Sequence, residues 1–177
     1  MSAGNSGQWA DATAKGHLYT DGVSFHTSGI PGTYTNSLAV ASVENSENVS
    51  ETGSYTMSSF SSWGVPGSLE LKPEITAPGG MIWSVNGVAT SGTEYEMMSG
   101  TSMAAPQITG MSALVAEYIK AEGLDAKTGM SVRQLAQSLL MSTAVPMREG
   151  ASGGEYYSIL NQGAGLARVD LAARADS

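Results

Sequence analysis

The chain has 177 residues, 41% hydrophobic and 14% charged, a composition that fits one globular domain and excludes a disordered segment. A formal charge of −8 disfavours nucleic acid or an anionic membrane surface as partner, and no run of about eighteen apolar residues is present to span a bilayer. Cysteine is absent, which removes disulfides and thiolate metal sites and leaves the redox compartment open.

Ser2-Ala3-Gly4-Asn5-Ser6-Gly7 is a turn cluster by composition. Residues 8–36 are rich in Gly, Thr, Ser and Asp and read as surface loop, with a short hairpin over 18–24. Both histidines of the chain, His17 and His26, fall in this stretch, where they read as exposed loop residues in preference to a general base. Leu38-Ala39-Val40-Ala41-Ser42-Val43 is nearly continuous apolar sequence, the pattern of a parallel strand buried on both faces. Residues 44–54 are polar and turn-forming, and Asn48-Val49-Ser50 matches a glycosylation sequon, a weak signal at three residues. Ile75-Thr76-Ala77 reads as a strand halted by Pro78-Gly79-Gly80. Residues 81–85 resume in extended form, 86–93 make a hairpin-like excursion, and 95–98 lead back.

Those elements lead into Met98-Ser99-Gly100-Thr101-Ser102-Met103-Ala104-Ala105-Pro106. Small residues crowd Ser102, and Pro106 fits the first turn of a helix, where its missing N–H costs nothing. From Ile108 the pattern is helical: Ile108, Met111, Val115 and Tyr118 or Ile119 share a face that Leu114 broadens. Ser102 then sits where a tight turn enters a buried helix, close to unpaired N–H groups. A nucleophile needs such a place if the negative charge it creates is to be stabilised. Gly123 is expected to stop this helix. Ser131 is a good N-cap for a second one with Val132, Leu135, Ala136, Leu139 and Leu140 inward, and a short last helix spans 168–174.

Gly100-Thr101-Ser102-Met103-Ala104-Ala105-Pro106, closed by Gly110, resembles the nucleophile segment of the subtilisin-like serine proteases, the subtilases. Gln107-Ile108-Thr109 stands where His-Val-Ala is the more usual filling. Ser2 to Gly7 is similar to the Ala-Gly-Asn-x-Gly segment that carries the family's oxyanion-hole asparagine. Phe60-Ser61-Ser62-Trp63-Gly64 and Lys72-Pro73-Glu74-Ile75-Thr76-Ala77-Pro78-Gly79-Gly80 resemble the cell-envelope proteinase and C5a-peptidase-like branch. The segments 140–144 and 162–166 look like the closing parts of the same catalytic domain.

The resemblance implies an α/β fold, a three-layer sandwich with a mostly parallel sheet, incomplete N-terminally and with an exposed sheet edge. Residues 1–177 are expected to be the C-terminal part of one catalytic domain, without the protease-associated insertion common near 44–55. Ser102 is implied as nucleophile and Asn5 as oxyanion donor. Ala3 and Gly4 line one wall of the pocket for the residue before the scissile bond, and Gly100 and Thr101 also contact substrate. The catalytic Asp and His precede the oxyanion segment in the family, so they are expected upstream of Met1, with the chain inactive alone. Implied partners are a polypeptide substrate and the missing N-terminal half of the catalytic domain. No cofactor is implied; calcium is an option with no assignable ligands. The full-length parent is expected to be secreted or attached to the cell envelope, although this chain shows no signal peptide.

Three other readings compete. An α/β-hydrolase needs its histidine after the serine, and none follows His26. A non-catalytic pseudoenzyme or binding domain could keep the fold without the triad. Ser102 as an ordinary helix N-cap leaves both the ordered run from Ser99 to Pro106 and the presence of Asn5 unexplained.

Overall fold

Residues 38–43 carry too little polarity to face water on either side, and the computed structural model buries them between two neighbours. The structure describes residues 1–7, 17–20, 23–26, 28–29, 31–45, 55–64, 68–88, 94–149 and 154–175. Strands β1 (His17–Thr20) and β2 (Val23–His26) precede β3 (Val40–Glu44), β4 (Ile75–Gly80), β5 (Ile82–Val85) and β6 (Tyr95–Met98). Helices α1 (Thr101–Ala121), α2 (Leu124–Thr128), α3 (Val132–Ser142), α4 (Ile159–Gln162) and α5 (Val169–Ala172) follow.

β3 and β4 pair in parallel, Val40 opposite Ile75. Parallel bridges extend this pair on both sides, Ser2 to Val40 and Thr76 to Leu166. Four backbone segments therefore lie side by side in the order Ser2, β3, β4, Leu166. Successive side chains point to opposite faces. Val40, Ile75 and Ala77 meet Ala104, Ile108, Val115 and Ile119 of α1, with α3 and α5 closing the layer. Ala41 and Val43 point the other way, against Met57, Met147 and Leu166. This is an incomplete α/β domain whose helices cover one face of a parallel sheet.

The two hairpins are antiparallel. β1 and β2 place His17 in register with His26, and the turn at 21–22 lies outside the described residues. β5 pairs with β6 from Ile82↔Met98 to Val85↔Tyr95, as the returning excursion suggested. The sequon at Asn48 and most of the 44–54 connection also lie outside the described residues.

Several expectations need correction. α1 begins at Thr101, seven residues before the clear apolar stripe, so Pro106 falls in its second turn. Proline there supplies no N–H to the Ser102 carbonyl, one turn back. Leu114 is 56% exposed and does not broaden the buried face, which Ala104 and Ile108 extend towards the N-terminus instead. β4 does not stop at Pro78 but runs to Gly80. Its register steps over Gly79, from Val43↔Pro78 to Glu44↔Gly80, so a bulge absorbs the residues that composition read as a stop. A Cβ on Gly79 would lie 2.6 Å from the Gly100 carbonyl oxygen, so glycine lets β4 pass close under the start of α1. The short α2 was not foreseen; Gly123, at φ +62°, ends the preceding turn and lets buried Leu124 start another. α3 matches its expected start, with a capping box between Ser131 and Gln134.

Among the described residues one ion pair is buried between these elements. The Lys72 ammonium donates to the Tyr34 carbonyl at 2.9 Å, the Ser37 carbonyl at 2.6 Å and the Glu74 carboxylate. Glu74 Oε2 accepts from the Ala39 N–H at 2.6 Å. Burial pushes the Glu74 carboxyl above its ordinary range, and Lys72 and the Ala39 N–H pull against that shift. The pair fastens residues 34–39, which lead into β3, to the start of β4. Glu74→Gln leaves the ammonium buried without its counter-charge, so the expected cost is about 3–5 kcal/mol, read as a lower urea midpoint in equilibrium unfolding.

Candidate active site

The first turn of a helix has N–H groups with no partner inside the helix. In α1 the Thr101 N–H donates to Asn5 Oδ1 at 2.8 Å, and the Met103 N–H donates to the Gly100 carbonyl at 2.9 Å. Among the described residues neither the N–H nor the hydroxyl of Ser102 has a hydrogen-bond partner, and the side chain is exposed. The helix macrodipole adds partial positive charge at this end. Gly100, the residue before the helix, is pinned to the sheet by its N–H bond to the Gly79 carbonyl at 2.8 Å.

Asn5 reaches this turn from the segment that pairs with β3 at Ser2. Its segment is held by Ala3 N–H to the Val40 carbonyl at 3.0 Å, Ser62 N–H to the Gly4 carbonyl at 3.0 Å, and Gly7 N–H to the Phe60 carbonyl at 2.7 Å. Gly4 has φ +118°, and a Cβ there would lie 2.8 Å from Ser62 Oγ, so the bend that presents Asn5 requires glycine. The Thr101 hydroxyl accepts from the Gly4 N–H at 3.1 Å and donates to Asn5 Oδ1 at 2.8 Å.

This relay fixes which way the Asn5 amide points. A backbone N–H can only donate, so the Asn5 atom facing Thr101 must be the oxygen. The amide nitrogen is then turned to the Gly100 side, 3.1 Å from where a Gly100 Cβ would sit, and among the described residues its two protons have no acceptor. Gly100 therefore leaves room for the amide. The Asn5 amide lies beside Gly100 and Thr101, and the Ser102 N–H and its exposed hydroxyl belong to the next residue of the same turn.

The remaining predicted residues are placed as follows. Ala3 is buried at 1% exposure, Thr101 and Gly100 are buried, and Gly4 is half-buried. Thr101 thus serves the interior relay, and Ala3 packs beneath the Asn5 turn. Ser102 is not the helix N-cap: Gly100 holds that position, and no side chain caps the end. Two contributors were missed. Gln107 Nε2 donates to the Pro78 carbonyl at 2.7 Å, tying the second turn of α1 to β4; its signal was a polar residue inside an apolar stripe. Ser62 Oγ accepts from the Ser6 N–H at 3.1 Å, a contact between distant segments with no local signature.

Thr101→Val keeps the shape and the backbone N–H bond to Asn5 Oδ1, but strands the Gly4 N–H and removes the second donor that holds the Asn5 amide. The expected loss is about 1–3 kcal/mol in denaturant unfolding, with Thr101→Ser close to the parent because it keeps the hydroxyl.

Comparison with known proteins follows the same lines. The Peptidase_S8 model, described as the subtilase family, matches residues 1–167. A PII-type proteinase of Lacticaseibacillus paracasei is 37% identical over 127 residues, 68% of this chain and 6% of that protein. A C5a peptidase of Streptococcus pyogenes is 34% identical over 119 residues, 67% of this chain and 10% of that one, in keeping with the branch suggested by the FSSWG and KPEITAPGG phrases. The chain thus spans only a small part of these relatives. Among solved structures, the prenylagaramide maturation protease PagA superposes with a TM-score of 0.58 at 21% identity, covering 98% of this chain and 48% of that one, which speaks to the fold. With a family match over nearly its whole length and relatives above 30% identity, the chain belongs to the subtilase family of serine peptidases.

Proposed function

We propose that the chain is the C-terminal part of the catalytic domain of a serine endopeptidase that hydrolyses peptide bonds through an acyl-enzyme on Ser102. The observation that supports it most is the oriented Asn5 amide beside the first turn of α1. Ser102 Oγ attacks the scissile carbonyl carbon and gives its proton to an imidazole from the upstream half, itself oriented by a carboxylate. The carbonyl oxygen becomes an oxyanion that accepts hydrogen bonds from the Asn5 amide and the Ser102 N–H. Collapse expels the amine with the transferred proton, and water then releases the acyl group. Gly4, with Ala3 behind it, walls the pocket for the residue before the scissile bond; Gly100 and Thr101 complete the floor. No cofactor enters these steps.

Two features favour an upstream half as partner. Among the described residues no strand pairs with the outer side of the Ser2 segment. Beside it lies a groove of about 560 Å³ lined by Met1, Leu38, Ile108, Val132 and Ala136, with Arg133 at its rim. The parent protein is proposed to be secreted or attached to the cell envelope and to act on polypeptides.

Alone, the chain is expected to resist a fluorophosphonate probe. Co-expressed with the upstream half of its catalytic domain, it should label at Ser102 and cleave peptides, and Ser102→Ala should abolish both. Loss of one oxyanion donor costs subtilisin itself about a hundred- to thousandfold in turnover, and Asn5→Ala should fall in that range with KM little changed. Joined halves that fold but hydrolyse nothing would leave a non-catalytic binding domain as the better reading. Met103 follows the nucleophile, so oxidation of its thioether to the bulkier sulfoxide should crowd the oxyanion site. Peroxide should lower turnover of the joined enzyme, and Met103→Ala should be insensitive to it.

A further inference from the structure

β6 leads into the turn that carries Ser102, and among the described residues both faces of the β5–β6 hairpin are largely exposed. Trp83, Val85, Tyr95 and Met97 are 64%, 67%, 53% and 49% exposed. The register sets Trp83 opposite Met97 and Val85 opposite Tyr95, so the four share one face. The Trp83 and Tyr95 rings stack across it, centroids 6.5 Å apart and planes within 11°. The opposite face carries Ile82 and exposed Met98 at the end nearest Ser102 and is polar and acidic beyond them. It carries Ser84 and Glu96, with Asn86 Nδ2 donating to Glu96 at 3.0 Å, and exposed Glu94 continues the same alternation.

The hairpin also has an open edge. The Asn86 N–H donates to the Glu94 carbonyl at 2.8 Å, which makes 86 and 94 a hydrogen-bonded pair. Alternation then makes Ser84 and Glu96 the next such pair, and turns the N–H and C=O groups of Tyr95 and Met97 away from β5. Among the described residues no strand pairs with that edge. β6 contains neither Pro nor Lys, the usual means of blunting an edge.

We propose that the outer edge of β6 docks an extended polypeptide in which apolar residues alternate with Lys or Arg. Its main chain pairs with Tyr95 and Met97. Its apolar side chains lie over Trp83, Val85, Tyr95 and Met97, while its basic side chains reach Glu94 and Glu96. Backbone pairing supplies affinity and the alternating faces supply specificity. A second copy of the chain is a poor occupant, because edge-to-edge pairing brings Glu96 against its own counterpart and sets two chains of charge −8 together. A cationic peptide is attracted by the same charges. Met97 is five residues from Ser102, at most about 17 Å along the chain. At roughly 3.3 Å per residue, a peptide on β6 would place residues no more than about five to seven positions from the scissile bond at this edge. This deepens the endopeptidase reading, on which the link to Ser102 rests, by naming a substrate class.

The test uses the chain carrying Ser102→Ala and a short fluorescein-labelled peptide of alternating Leu and Lys, read by anisotropy at low and high salt. Binding is expected, weakened about tenfold or more by Trp83→Ser with Tyr95→Ser. Glu94→Gln with Glu96→Gln should weaken it and flatten its salt dependence, and N-methylation of alternate peptide amides should abolish it. All substitutions are at exposed positions, and an unchanged circular dichroism spectrum checks the fold. Absence of binding, or equal binding by the Trp83→Ser, Tyr95→Ser chain, overturns the proposal. So does a concentration-dependent dimer in sedimentation that the same double substitution abolishes, which would assign the edge to a second copy. Hydrolysis by the joined halves without peptide binding at β6 sinks this inference alone; binding at β6 with joined halves that never hydrolyse sinks the peptidase reading alone.

Discussion

The contact between the Thr101 N–H and Asn5 Oδ1 joins the N-terminal segment to the start of α1. It spends the amide's acceptor on the helix and so leaves its donors for whatever approaches Ser102. Everything around it serves to hold the two partners still. Ala3 is bonded to β3, Gly100 to β4 and Gln107 to Pro78, so the asparagine and the helix start are both referenced to the same sheet. In the peptidase proposed here, donors held in this way would stabilise developing charge without rearrangement at the moment of reaction.

The sheet that carries this frame is stabilised differently on its two sides. One face is apolar and packed by α1, α3 and α5; the other meets Tyr55, Met57, Met147, Tyr157 and Leu166. Polar side chains hold this second side together. Buried Gln162 accepts from the Met147 N–H at 2.7 Å and donates to the Tyr157 carbonyl at 2.7 Å, while its own carbonyl accepts from the Thr76 hydroxyl. Lys72 and Glu74 act in the same way at the entry to β3 and β4. Loops that lie against a sheet must satisfy their backbone groups somewhere, and here single side chains satisfy several at once.

The parts legible in the sequence were those with a local cause. The apolar run 38–43 announced β3, Ser131 and Gln134 announced the start of α3, and the small residues about Ser102 announced a turn into a helix. The misreadings arose where a local rule met a distant partner. Pro-Gly-Gly normally breaks a strand, but β3 and the underside of α1 need a flat, side-chain-free stretch at 79 and 80. Pro106 normally marks a first turn, but Asn5 and Gly79 hold the turns before it in helical form. The bonds from Lys72 and Glu74 to residues 34–39 and the Asn5–Thr101 relay join residues far apart in the chain, and no short window of sequence contains both ends. Asn5 could be singled out only through the family resemblance of its segment.

The proline in α1 has one more consequence. Since Pro106 gives no proton to the Ser102 carbonyl and Thr101 spends its N–H outside the helix, the opening turn of α1 is fastened to residues 1–7 and to β4 more than to the helix body. Order in that turn and attachment of the N-terminal segment then form one cooperative unit. Detaching the segment, by a local opening far smaller than global unfolding, would unravel the backbone that carries Ser102.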